Sequence, residues 1–134
     1  MLSRRAFLGA SLAALSIPTW ASSVPVSGKS ELFFSAFSKS ATEHFIGAFG
    51  SNGQLIWSMA LPDRAHAPVV HPTHSVVGAV ARRPGFYMDF FNPLTGEAIT
   101  RIKPQAEHHF YGHALFTSDG TRLIAQENHY PTGQ

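Results

Sequence analysis

The sequence predicts an all-β fold: a β-propeller fragment of about two to two and a half blades, preceded by a signal peptide. Three observations carry this expectation. Short apolar segments alternate with Gly- and Pro-containing turns. No helix-length window exists beyond the first 21 residues. A repeat recurs with a period near 44 residues.

The strands come first. Glu31–Phe37, His44–Phe49, Leu55–Ala60, Ser75–Arg82, Phe86–Phe91, Ala98–Lys103, His113–Thr117 and Thr121–Glu127 are rich in Phe, Val, Ile and Tyr. Between them lie Gly50-Ser51-Asn52-Gly53, Arg83-Pro84-Gly85, Asn92-Pro93-Leu94-Thr95-Gly96 and Ser118-Asp119-Gly120. Glycine accepts positive φ and proline presets the first turn position, so these are turn signals with a backbone cause. Leu32-Phe33-Phe34 and Val76-Val77-Gly78-Ala79-Val80 are apolar on both faces and need cover on two sides, as in stacked sheets.

Two alignments give the period. Phe49-Gly50-Ser51-Asn52-Gly53 matches Phe91-Asn92-Pro93-Leu94-Thr95-Gly96, with the closing glycines 43 residues apart. His71-Pro72-Thr73-His74-Ser75 matches Thr117-Ser118-Asp119-Gly120-Thr121 at an offset of 46. Four short strands per 40–45 residues is the pattern of propeller blades. Residues 31–134 hold about 2.4 such units, which predicts the N-terminal blades of an incomplete propeller. A small, self-contained β-sandwich is the alternative. Residues 22–30 read as a linker.

Residues 1–21 read as an address. Ser3-Arg4-Arg5-Ala6-Phe7-Leu8 precedes an apolar run from Ala6 to Ile17, then Pro18 and the small Ala21. The run is too short for a stable membrane span. The paired Arg4 and Arg5 resemble the twin-arginine export motif. The expectation is a partner in the twin-arginine translocase and a periplasmic location.

Composition narrows the function classes. The chain has no Cys, which removes disulfides, Cys-ligated zinc and thiol nucleophiles. Charged residues are 13% and hydrophobic residues 44%, a balance outside the disordered range. Arg4 and Arg5 are two of the ten basic residues, which leaves eight against eight acidic ones. A neutral remainder gives no cationic face for nucleic acid. Eight His stand against three Lys, and all eight lie beyond residue 43.

Glu107-His108-His109-Phe110-Tyr111-Gly112-His113-Ala114-Leu115-Phe116-Thr117-Ser118-Asp119-Gly120, with Leu123-Ile124-Ala125-Gln126-Glu127-Asn128 after it, resembles a family of exported bacterial β-propeller proteins of unknown function. Its members carry His-Phe-Tyr-Gly-His, a Phe-Ser-x-Asp-Gly turn and a strand ending Thr-Glu-Asn. Arg64-Ala65-His66 is similar to an upstream Arg-x-His segment of the family. Gln126 departs from the family's frequent Thr, and His129 from an acidic residue. The resemblance covers the chain but only the first third of a full member. It implies a seven-bladed propeller whose genes neighbour those of imelysin-like periplasmic iron-uptake proteins and di-haem peroxidase-like oxidoreductases.

The histidines are the candidate chemistry. His66, His71 and His74 fall in one loop-rich stretch, and His108, His109 and His113 in another just before an inner strand. His66 and His113 sit about one blade apart, so equivalent positions converge at the central channel. Imidazole binds transition metals readily, so His66, His108 and His113 are candidate ligands for iron, copper or zinc. Arg64, Tyr111, Glu127 and Asn128 are further channel candidates; Glu127-Asn128 is expected to end an inner strand. The competing expectation is that the histidines hydrogen-bond loop backbones much as turn aspartates do, with His71-Pro72-Thr73-His74 in the turn where the next blade has Thr117-Ser118-Asp119-Gly120. His44 and His129 read as surface residues. Glu107 and Glu127 have no fixed separation, and neither a Gly-x-Ser-x-Gly elbow nor a phosphate loop is present. The function read from sequence is a periplasmic binding or scaffold protein associated with iron uptake. The alternative is a metal-assisted oxidoreductase or hydrolase with His ligands at the channel mouth.

Overall fold

Alternating apolar residues and Gly-closed turns produce ten strands in the computed structural model, which describes residues 24–26 and 30–133. They are β1 (Val24–Val26), β2 (Ser30–Ser38), β3 (His44–Gly50), β4 (Leu55–Leu61), β5 (Ala65–Val70), β6 (Val77–Ala81), β7 (Met88–Phe91), β8 (Ala98–Ile102), β9 (His108–Phe116) and β10 (Leu123–His129). The expected signal peptide, with Arg4 and Arg5, lies outside the described residues. No described helix is long and apolar enough to cross a membrane.

Every pairing among these strands is antiparallel. The sheets are β1-β2-β3-β4, β5-β6-β7-β8 and the two-stranded β10-β9. They stack in chain order as three consecutive propeller-type blades, two of four strands and one of two. A two-sheet sandwich does not describe them.

The repeat seen in sequence is a repeat in space. Gly50 N donates to Gln54 O in the β3–β4 turn, and Asn92 N donates to Glu97 O in the β7–β8 turn. Both turns follow a bulge at the same place, between Ala48 and Phe49 and between Phe90 and Phe91. The second register holds too: His71 N bonds Val76 O, and Thr117 N bonds Arg122 O. This makes β5 and β9 equivalent first strands.

Two strands depart from the expectation. β1 forms within the segment read as a linker and pairs with β2. β5 forms where a loop was expected, because Ala65-His66-Ala67-Pro68 lacks an apolar alternation and contains proline. β5 is the edge strand of its sheet, so Pro68 sits in an edge strand, where a missing N–H is tolerated.

Apolar faces between the sheets form two cores. Ile46 and Leu61 of the first blade pack with Val77, Ala79, Ala81, Tyr87 and Phe91 of the second, and Trp57 packs against this cluster. Val69, Val80, Met88 and Phe90 of the second enclose Phe110 of the third. The Trp57 indole N–H donates to Pro93 O at 2.8 Å, which locks the β7–β8 turn onto the first blade. Trp57, Phe90, Phe91 and Phe110 therefore serve packing between blades.

Candidate functional site

The site is built by the two first strands. Gly112 has φ 99° and sits directly over His66; a Cβ there would lie 2.7 Å from the His66 Cβ. Only glycine combines that backbone with that approach. The β9–β10 register shifts alongside it, between Ala125 and Glu127. His113 then meets His66 ring to ring, with centroids 4.6 Å apart and planes at 85°. The convergence expected from the repeat is therefore present for this pair. Both histidines lie within strands, not in loops before them.

His108 goes elsewhere. Its ring lies 4.8 Å from that of His129, and its Nδ1 donates to Ala106 O. His129 Nε2 lies 3.8 Å from a Glu107 carboxylate oxygen, so Glu107 faces histidine, not a second carboxylate. Among the described residues, no group of three or more His, Asp or Glu is arranged to hold a metal ion. His66 and His113 bring two imidazole rings into contact.

His71 has the backbone role expected of a turn aspartate. Its Nδ1 accepts from Thr73 N at 3.2 Å and His74 N at 2.9 Å. That assigns the proton to Nε2, which donates across the seam to Gly120 O at 3.0 Å. Thr117, its equivalent, closes its own turn by accepting from Arg122 N through Oγ1. Asp119 accepts from the Thr117 hydroxyl and from Thr121 N, and these bonds hold its carboxyl below the usual range.

His109 is buried between Asn128 and its own strand. Its Nδ1 donates to Phe110 O, so Nε2 accepts from Asn128 Nδ2 at 3.2 Å. The Tyr111 ring lies 5.4 Å away, and the Arg83 guanidinium stands 4.9 Å over Tyr111. Asn128 thus positions His109. It and Glu127 belong to β10, the equivalent of β6, and so lie on a second strand of the blade.

A cleft adjoins the histidine pair at the seam of the first two blades. It measures about 490 Å³ and is lined by Ser38, Ser40, His44, Arg64 and His66, with Phe37 and small residues between them. His44 Nδ1 lies 2.7 Å from Ser38 Oγ, and its Nε2 lies 3.8 Å from Asp63 Oδ1. The His44 side chain is only 11% exposed, which corrects its reading as a surface residue. Sequence reasoning found Arg64 and His66 but missed Ser38 and His44. The one available signal was the hydrophilic Ser38–Glu43 turn between two apolar strands.

Nearby, burial raises the Tyr87 phenol well above its usual range, with Asp89 and Asp63 adding to the shift. Its hydroxyl donates to Asp63 O. Asp89 takes two bonds from Arg101, at 2.6 and 2.7 Å, and these raise the guanidinium further.

A family model described as "Protein of unknown function (DUF1513)" matches residues 59–134. The matched stretch includes Arg64, His66, Gly112 and His113 and excludes Ser38 and His44. A search of the curated proteins gave no match. With more than half of its residues under that match, the chain belongs to the DUF1513 family of proteins of unknown function.

Proposed function

We propose that this chain is the N-terminal part of a periplasmic binding or scaffold protein, exported by the twin-arginine translocase and linked to iron handling. The observation that carries the reading is the contact between His66 and His113 on equivalent first strands. A binding surface needs convergent donors held by rigid elements, and the Gly112 approach supplies that rigidity. Two imidazoles suit a transition metal that arrives as cargo or on a partner and brings its remaining ligands with it. The paired Arg4 and Arg5 ahead of an apolar run support the export half.

Titration of the full chain with ferrous, cupric and zinc ions tests the binding half. The expected result is saturable binding of at least one ion, weakened tenfold or more in His66→Ala/His113→Ala. Equal binding by wild type and variant, or none by either, overturns it. For export, Arg4→Lys/Arg5→Lys is expected to leave the chain in the cytoplasm. Unchanged periplasmic yield overturns that half.

A further inference from the structure

We propose that the cleft at the seam of the first two blades binds a small oxyanion, through carboxylate or phosphate oxygens. This rests on the reading of the histidine pair as a binding surface, and it names the ligand class of the cleft beside that pair.

The charge pattern points to an anion. Among the described residues the ion pairs are His44 with Asp63, Arg101 with Asp89, and His129 with Glu107. Arg64 has none of these carboxylates, and it lines the cleft. Among the described residues no carboxylate lines it. Asp63, the adjacent one, bonds the Arg64 backbone N–H at 2.6 Å, and its side chain is 72% exposed. A guanidinium presents a planar fork of donors that matches carboxylate and phosphate oxygens two at a time.

The walls supply the complementary groups. Ser38 at the end of β2 and Ser40 in the β2–β3 turn bring hydroxyls, and His44 and His66 bring imidazoles from β3 and β5. Ser38 and Asp63 fix the His44 ring from opposite sides. Three segments from two blades thus converge on one space. Its volume lies within the range of small-molecule sites, roughly 300–1,000 Å³. Arg64 is also anchored apart from its side chain, since its carbonyl accepts from Arg82 N at 2.8 Å. Truncating the side chain leaves that bond in place.

The test is calorimetric titration of the full chain with inorganic phosphate and, separately, with citrate, at constant ionic strength against a chloride control. The two arms distinguish a phosphate from a polycarboxylate ligand. The expected result is saturable binding of at least one anion, weakened tenfold or more by Arg64→Ala and less by Arg64→Lys. Lys103→Ala, which removes an exposed cation elsewhere, is expected to leave affinity unchanged. Failure of wild type to bind either anion above chloride overturns the proposal. So does equal affinity in wild type, Arg64→Ala and Arg64→Lys, or equal weakening by Lys103→Ala. The metal titration reads separately, because Arg64→Ala keeps both His66 and His113.

Discussion

The two seams between blades are joined in different ways. Between the first and second, side chains reach across: Trp57 donates to Pro93 O and Tyr87 to Asp63 O. Between the second and third, the backbone itself is knitted. Gly85 and Phe110 exchange two backbone bonds at 2.8 and 3.0 Å, Gly112 lies against His66, and Gly120 lies against His71. The first seam leaves a cleft bordered by His66, and the second closes tightly enough to bring two imidazoles together. Close approach thus makes the histidine pair, and looser approach makes the cleft.

The largest test of this contrast is at Phe110, which is 1% exposed. Phe110→Ala is predicted to lower stability by about 3–5 kcal/mol in urea denaturation. Trp57→Phe keeps the aromatic bulk of the first seam and loses one hydrogen bond, at about 1 kcal/mol. Equal losses at the two sites would erase the distinction.

Gly112→Ala comes next. The φ of 99° and the 2.7 Å approach together predict a loss of about 1–3 kcal/mol and separation of the two imidazoles. His71→Ala leaves the Thr73 and His74 amides and the Gly120 carbonyl without that partner. A loss of about 1–3 kcal/mol is expected by the same denaturation measurement.

The smallest effect is the pH response of the first seam. Tyr87 has its folded pKa raised, by burial first. A raised value contributes stability below the unfolded phenol pKa, about 10, and loses it as pH rises toward the folded value. Wild type is therefore predicted to lose more stability than Tyr87→Phe between about pH 9 and 11. Parallel stability profiles would contradict that assignment.

Much of the fold was legible because turns carry their chemistry locally. Gly53, Gly96 and Gly120 all adopt positive φ, and both offsets between aligned turns are real equivalences. β5 was not legible, since an edge strand holding His66 and Pro68 has no apolar alternation. The site was half legible. His66 and His113 stand about one period apart, so the repeat places them near one another, and Arg64 lies two residues before His66. Ser38 and His44 come from the preceding blade's hairpin, and only the stacking of sheets brings them to Arg64. His108 was misplaced because the turn at Glu107, with φ 61°, and the reach of His129 set its direction.

The central claim is that Gly112 holds His66 and His113 as one ligand-facing pair. Electron paramagnetic resonance of cupric ion bound to the full chain tests it most directly. The account predicts superhyperfine splitting from two imidazole nitrogens, reduced to one in His66→Ala and in His113→Ala. A two-nitrogen pattern that survives either substitution, or a wild-type spectrum with no imidazole nitrogen, would contradict it.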